Sequence, residues 1–435
     1  MPKLFSVVLV LVLAGCSSSL EQTSLPETPG QQVAAPAVRS PIPDTGGADA
    51  PDDSSQDDAA PSTAASSSPA AITIAPAVTL RSDAGGAPAG GYHGTTLSRA
   101  FGRSAACSRS VPYCASDLQA AYGASAAARG GGRGLTVAVV AAYGYAGAES
   151  DLAVYRKSMG LPACTSRAGC FKVAGNGRSS SLPVAAPAGS SWPLEAALQL
   201  DMVSATCPNC KMLLVLAKSD VGADLDAAVN AAAAAGAASI ATGYAGPEAR
   251  APDAAYDHPG RAIAAAAGND GYGARQPCSF AGVVCVGGTS LTPPAASGRP
   301  WSERAWRYTG SGCSAYVPKP QWQHVKECSM RSTADVAAVA DPQTGVAVYD
   351  AAAGGWLQAG GTAAPAAIVA ALFALGPSNA RGNAPAWIWR HGGSPAYRDV
   401  TKGSNGSCAI QYFCQAREGY DGPTGWGTPA RASGF

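Results

Sequence analysis

Charge is scarce in this chain: Asp, Glu, Lys and Arg make up 14% of its 435 residues, against about 25% in an average globular protein. The 30 basic and 29 acidic side chains cancel to a formal charge of +1, so a basic stripe for holding nucleic acid is excluded as an expectation. Histidine is scarcer still. The four, His93, His258, His324 and His391, stand at no familiar spacing from a Ser or Asp partner, which disfavours a Ser-His-Asp hydrolase. The apolar run at residues 4–13 (LFSVVLVLVL) falls short of the ~20 residues that cross a bilayer. What the chain does have is 52 Gly, 33 Pro and 47% hydrophobic residues. That composition describes a small-residue, loop-rich protein with too much apolar content for wholesale disorder, and its length allows up to about three domains or one large one.

Lys3 and the run at 4–13 have the make-up of a signal peptide. Leu13-Ala14-Gly15-Cys16 resembles the lipobox of bacterial lipoproteins, which implies removal of residues 1–15, acylation of Cys16 and attachment to a membrane of the cell envelope. Ser17 behind the Cys resembles outer-membrane sorting. From 16 to 91 the chain is Pro, Ala, Ser, Thr, Gly and Asp with almost no aromatics, as in PDDSSQDDAAPSTAASSSPAA at 51–71. Such a stretch reads as a disordered spacer. Residues 92–435 read as one large domain.

Thirteen cysteines are an odd number, and giving Cys16 to lipid leaves twelve. These fall into local couples: Cys107/Cys114, Cys164/Cys170, Cys207/Cys210, Cys278/Cys285, Cys313/Cys328 and Cys408/Cys414. Six short-loop disulfides in an oxidising compartment are the economical expectation. Cys207-Pro208-Asn209-Cys210 is also a redox or zinc spacing, but no second CxxC or nearby His completes a metal set.

Short apolar runs at 135–141, 211–217, 238–242, 261–267 and 282–288 alternate with helical patterns around ESDLAVYRKSMG, EAALQLDMVSA and ADLDAAVNAAAAA. The alternation predicts an α/β fold, a mostly parallel doubly wound sheet with helices on both faces. Sites in such sheets gather at the carboxyl ends of strands. Two Gly-Gly-Thr stretches occur, 287–289 followed by Ser290 and 360–362 followed by Ala363. The second leads into the apolar helical run AAPAAIVAALFAL, whose first backbone N–H groups are suited to stabilising an oxyanion. A hydrolase would carry Ser at 363. The residue is Ala.

Over residues 110–435 the chain resembles the sedolisin family of serine-carboxyl peptidases, which have a subtilisin-like fold. The blocks that carry the resemblance include SDLQAAYG, ESDLAVYRKSMGLPAC, ATCPNCKMLLVLA, VCVGGTSL, SERAW, GSGCSAY, ADVAAVADPQTGVAVYD, DVTKGSNGSC and GYDGPTGWG. The family pattern pairs a Glu with an Asp four residues later on one helix, adds an Asp at the oxyanion position, and uses the Ser of a GGTS motif as nucleophile. Carried over here, Trp192-x-x-Glu195 retains the Glu, Gln199 replaces its Asp partner, and Asp201 points elsewhere on the helix. AAGNDGYG puts Asn269 at the oxyanion position with Asp270 one residue out of register, and a strand-end carboxylate has become Ala141. Ala363 occupies the nucleophile position, while Ser290 belongs to a structural strand end. The resemblance further implies one Ca2+ site made by Asp399, the carbonyls of Val400, Arg417 and Gly419, and Asp421; two capping Asp in Gly-rich turns is the other reading of those residues. Together these imply an exported, lipid-anchored pseudopeptidase acting by binding or surface display, with peptides or envelope proteins as partners. An active serine-type endopeptidase with an unorthodox site and a purely structural envelope lipoprotein are the alternatives. No ligand is named by the residues, because the segment 239–248 that should line the substrate cleft has become small and apolar.

Overall fold

The computed structural model describes residues 112–176, 181–250, 254–295 and 300–435, with the backbone of two short strands at Ala75–Pro76 and Thr79–Leu80. Residues 1–15, Cys16, Cys107 and most of the 16–91 stretch lie outside the described residues.

Eight strands build the central sheet. In chain order they are β1 (Thr136–Ala142), β2 (Phe171–Gly175), β3 (Lys211–Ala217), β4 (Ser239–Thr242), β5 (Ala262–Ala266), β6 (Val283–Thr292), β7 (Ser302–Ala305) and β8 (Val336–Val339). Across the sheet the order is β7-β6-β5-β4-β1-β3-β2, with β8 also paired to β6. Every pairing is parallel except β6 with β7. This is the expected doubly wound arrangement, and the predicted strands fall within a few residues of the observed ones. TVAVVAA in β1 and KMLLVLA in β3 are continuous apolar runs because both faces of a parallel sheet are covered. AIAAA in β5 has weak intrinsic strand preference. It is extended nonetheless because β4 and β6 supply ladders on both its sides, and its small side chains are entirely buried.

Two helices position the site, α1 (Trp192–Thr206) and α3 (Ala363–Leu375), while α2 (Gly222–Ala234) packs on β1 and β3. Pro193 in the first turn and Glu195 just after it suit a helix start, the one through its fixed φ and the other through the helix dipole. Both α1 and α3 are apolar nearly all round and buried nearly all round, which is the signature of helices enclosed by the fold. They pack on each other, and Ser239 in β4 donates to the Ala370 carbonyl of α3 at 2.6 Å, tying helix to sheet.

Five of the six expected disulfides are formed: Cys164–Cys170, Cys207–Cys210, Cys278–Cys285, Cys313–Cys328 and Cys408–Cys414. Cys114 is disulfide-bonded, and its expected partner Cys107 lies outside the described residues. The CxxC is therefore a closed loop here.

One part of the 16–91 stretch departs from the spacer expectation. Ala75–Pro76 pairs with Tyr244–Pro247, and Thr79–Leu80 pairs with Gly355–Gly360. The run ITIAPAVTL at 72–80 concentrates the β-branched residues of that stretch, and strand addition requires backbone groups at a sheet edge rather than a core of its own.

Candidate active site

The carboxyl ends of β4 and β5 and the N-termini of α1 and α3 meet at one rim, where the topology of such sheets places sites. Glu195 and Gln199 both lie fully buried on α1, and Gln199 Nε2 donates to Glu195 Oε1 at 2.8 Å. The i,i+4 spacing thus produces the pairing that the sequence implies. An amide donates a hydrogen bond, but it cannot share a proton as a second carboxyl would. Gln199 Oε1 finds no hydrogen-bond partner among the described residues.

Gly243, directly after β4, brings this pair to α3. A Cβ added there would lie 2.6 Å from Gln199 Cδ and 2.9 Å from Ala363 Cβ. Only glycine lets the backbone approach both. Ala363 is the first residue of α3 and fully buried; its methyl group has no atom able to attack a carbonyl.

Asn269 follows β5 and stands at the same rim. Its Oδ1 accepts from Thr362 N at 2.9 Å and Thr362 Oγ1 at 3.0 Å, while Thr362 Oγ1 accepts from Gly268 N at 3.0 Å. Thr362 therefore clamps the strand end to the helix start, a role the sequence reading did not assign. The GGT in front of an apolar helix was the available signal, because a hydroxyl at a helix start commonly bonds neighbouring backbone. Asp270 turns away to solvent and pairs with Arg275 at 3.1 Å, with 67% of its side chain exposed. Ser290 is elsewhere, in β6, donating to Asp341 Oδ2 at 2.5 Å.

Ala141 is buried in β1. Just beyond that strand, Tyr143 takes a positive φ of 63° and donates its hydroxyl to Asp220 Oδ1 at 2.9 Å. A bulky residue in the left-handed region is costly and is concentrated at functional rims.

Asp201 does point elsewhere on α1. Its Oδ2 accepts from Tyr349 N at 2.9 Å, and burial pushes its carboxyl well above the ordinary 3.8, with Asp151 and Asp350 adding repulsion. Asp350 is raised by burial too. Because the folded carboxyl holds its proton more tightly than the unfolded one, the stability it contributes is full below about pH 4 and is lost as pH rises toward the raised value. The expected result is a thermal midpoint that declines upward from that range, with a shallower decline in Asp201→Asn. Identical slopes for the two proteins would remove Asp201 as the cause.

At the other candidate site Asp421 is fully buried, and its carboxylate accepts from Arg417 N at 2.9 Å, Thr424 N at 2.9 Å and Thr424 Oγ1 at 2.8 Å. Burial, with a smaller push from Asp399, lifts it to about 7. Asp399 Oδ2 accepts from Gly419 N at 2.8 Å. The two acids share one neighbourhood and cap the 417–424 turn. No group of three or more His, Cys, Asp and Glu side chains suited to a metal is present among the described residues, so a cation here would depend on backbone carbonyls for its remaining oxygens.

No family model matches the chain. A curated relative, sedolisin from Pseudomonas sp. (strain 101), is 32% identical over 174 residues, which cover 36% of this chain and 29% of that relative's length. Among solved structures, Pseudomonas sedolisin, a serine-carboxyl proteinase complexed with two molecules of pseudo-iodotyrostatin, superposes with a TM-score of 0.62 at 23% identity. That match covers 73% of this chain and 95% of the sedolisin chain. Sequence likeness to sedolisin over one stretch and a shared subtilisin-like fold over nearly all of the solved relative agree, although the chain spans less than a third of the curated relative's length.

Proposed function

We propose that this protein is an exported, lipid-anchored pseudopeptidase that binds extended peptides or envelope proteins without cleaving them. Ala363 carries the reading: a methyl group stands at the helix start where the sedolisin pattern has its nucleophile, beside a Glu195 whose partner is the amide of Gln199. Loss of the nucleophile outweighs the other departures, since it costs on the order of 10⁶ in kcat, whereas a weakened oxyanion donor costs only about 10² to 10³. Asn269 for Asp is thus the lesser change. Digestion of a broad peptide library by the full chain from acid to neutral pH tests the reading. No cleavage is expected, and cleavage that disappears in Glu195→Ala would establish an unorthodox peptidase instead.

The anchor rests on the residues before Cys16. Cys16→Ser is expected to move the protein from the membrane to the soluble fraction, and an unmodified Cys16 in the mature wild-type protein would count decisively against it. A Ca2+ ion fits the all-oxygen set of Asp399, Asp421 and the carbonyls of Val400, Arg417 and Gly419, since hard cations take carboxylate and carbonyl oxygens. It would neutralise two neighbouring acids and brace the turn.

A further inference from the structure

Away from the rim of Ala363, a cavity of about 340 Å³ is lined by the helix Ala148–Ser158 and the segment 161–165 that follows it. None of Glu195, Gln199, Asn269 and Ala363 lines it. Ala153, Arg156 and Lys157 stand three and four residues apart and so share one face of the helix; Leu161 and Ala163 add apolar lining from the segment. That segment is fastened by the Cys164–Cys170 disulfide, and Ser166 N and Oγ tie it back to the helix by donating to Glu149 Oε1 at 2.8 and 3.0 Å. Arg156 is 1% exposed. Its Nε donates to the Pro162 carbonyl at 2.7 Å, Nη1 to Ser204 Oγ at 2.9 Å and Nη2 to the Pro208 carbonyl at 2.7 Å. All three acceptors are neutral, and no ion pair among the described residues includes Arg156 or Lys157. Asp201, the carboxyl whose field reaches Arg156, is held toward its protonated form by burial. Burial lowers Arg156 to about 10, which leaves it a cation at neutral pH. A buried charge ordinarily has its counter-charge beside it; among the described residues this one has only dipoles.

We propose that this cavity is a binding site for a small amphiphilic carboxylate, its anionic end at Arg156 and Lys157 and its hydrocarbon against Ala153, Leu161 and Ala163. The reading is independent of what the rim around Ala363 binds. Small-molecule sites are mostly apolar, hold a few polar groups that fix orientation, and span roughly 300–1,000 Å³. This cavity stands at the lower end of that range, which suits a free acid. A guanidinium carries five N–H donors in a planar fork that matches a carboxylate. Three of them go to the oxygen acceptors above, and a fourth meets only Met212 Sδ at 3.9 Å, a weak acceptor. Donors therefore remain for an anion. Lys157, exposed on the same face, supplies a second positive charge where the acid enters.

Isothermal titration of the full chain with sodium octanoate tests this, with octanol as the uncharged chain of the same length. Octanoate is expected to saturate one site and to bind about tenfold tighter than octanol or more, the difference carried by its charge. Ala153→Phe fills the cavity from an exposed helix position and is expected to weaken octanoate about tenfold or more, with the circular dichroism spectrum unchanged as evidence of folding. Arg156→Gln removes the buried cation, but it also cuts three ties between distant segments. The milder Lys157→Gln, at an exposed position, keeps those ties and is expected to weaken octanoate by about threefold while leaving octanol unchanged. Absence of saturable octanoate binding, equal affinity for octanoate and octanol, or octanoate binding untouched in folded Ala153→Phe would each overturn the assignment.

Discussion

Ala363→Ser alone is expected to yield at most a trace of peptide hydrolysis, and the combination Ala363→Ser, Gln199→Asp and Asn269→Asp to exceed the sum of its single steps by on the order of 10² or more. The single change places a hydroxyl at the start of α3, but leaves Glu195 hydrogen-bonded to an amide at 2.8 Å. An uncharged donor cannot hold a shared proton, so the new hydroxyl stays weakly activated. Gln199→Asp returns a carboxyl to the same helix face, and Asn269→Asp returns one beside Thr362 N and Oγ1. Groups that act as a unit are grossly non-additive, and this is why the combination is the informative protein. The series should be read by fluorogenic peptide cleavage. Strictly additive gains would mean that these three positions do not form one catalytic unit.

Removing the Asp421 carboxylate is expected to cost about 3 kcal/mol or more, because the Arg417 and Thr424 amides would lose a buried acceptor. For a domain of about 340 residues, with an unfolding entropy of about 0.7 kcal/mol/K, that corresponds to a fall in thermal midpoint of about 4 °C or more. The ion reading adds a second, separable effect. An ion at 100 times its Kd stabilises the folded state by about 2.7 kcal/mol, so excess chelator should lower the wild-type midpoint and leave that of Asp421→Ala where it was. Asp421→Asn keeps one acceptor oxygen and loses the charge, which divides turn capping from cation binding. A wild-type midpoint indifferent to chelator would leave the capping role alone.

The alternation of apolar runs with helical patterns carried the fold class, because a parallel sheet covered on both faces imposes continuous apolar strands that are visible in one dimension. The AAPAAIVAALFAL run coincides with the helix Ala363–Leu375. Cysteine couples were legible for the same local reason: each of the five disulfides between described residues joins cysteines at most 15 positions apart. The contact of Glu195 with Gln199 follows from helical spacing alone. What sequence reading could not supply is whatever depends on the approach of distant segments. That Gly243 touches both Gln199 and Ala363, that Thr362 bonds Asn269, and that Asp201 serves Tyr349 rather than Glu195 depend on how α1, α3 and the strand ends pack. The tether strands were hidden for a different reason. Edge pairing uses backbone groups that every residue carries, so a stretch without core-forming composition leaves little trace of the sheet edge it will join.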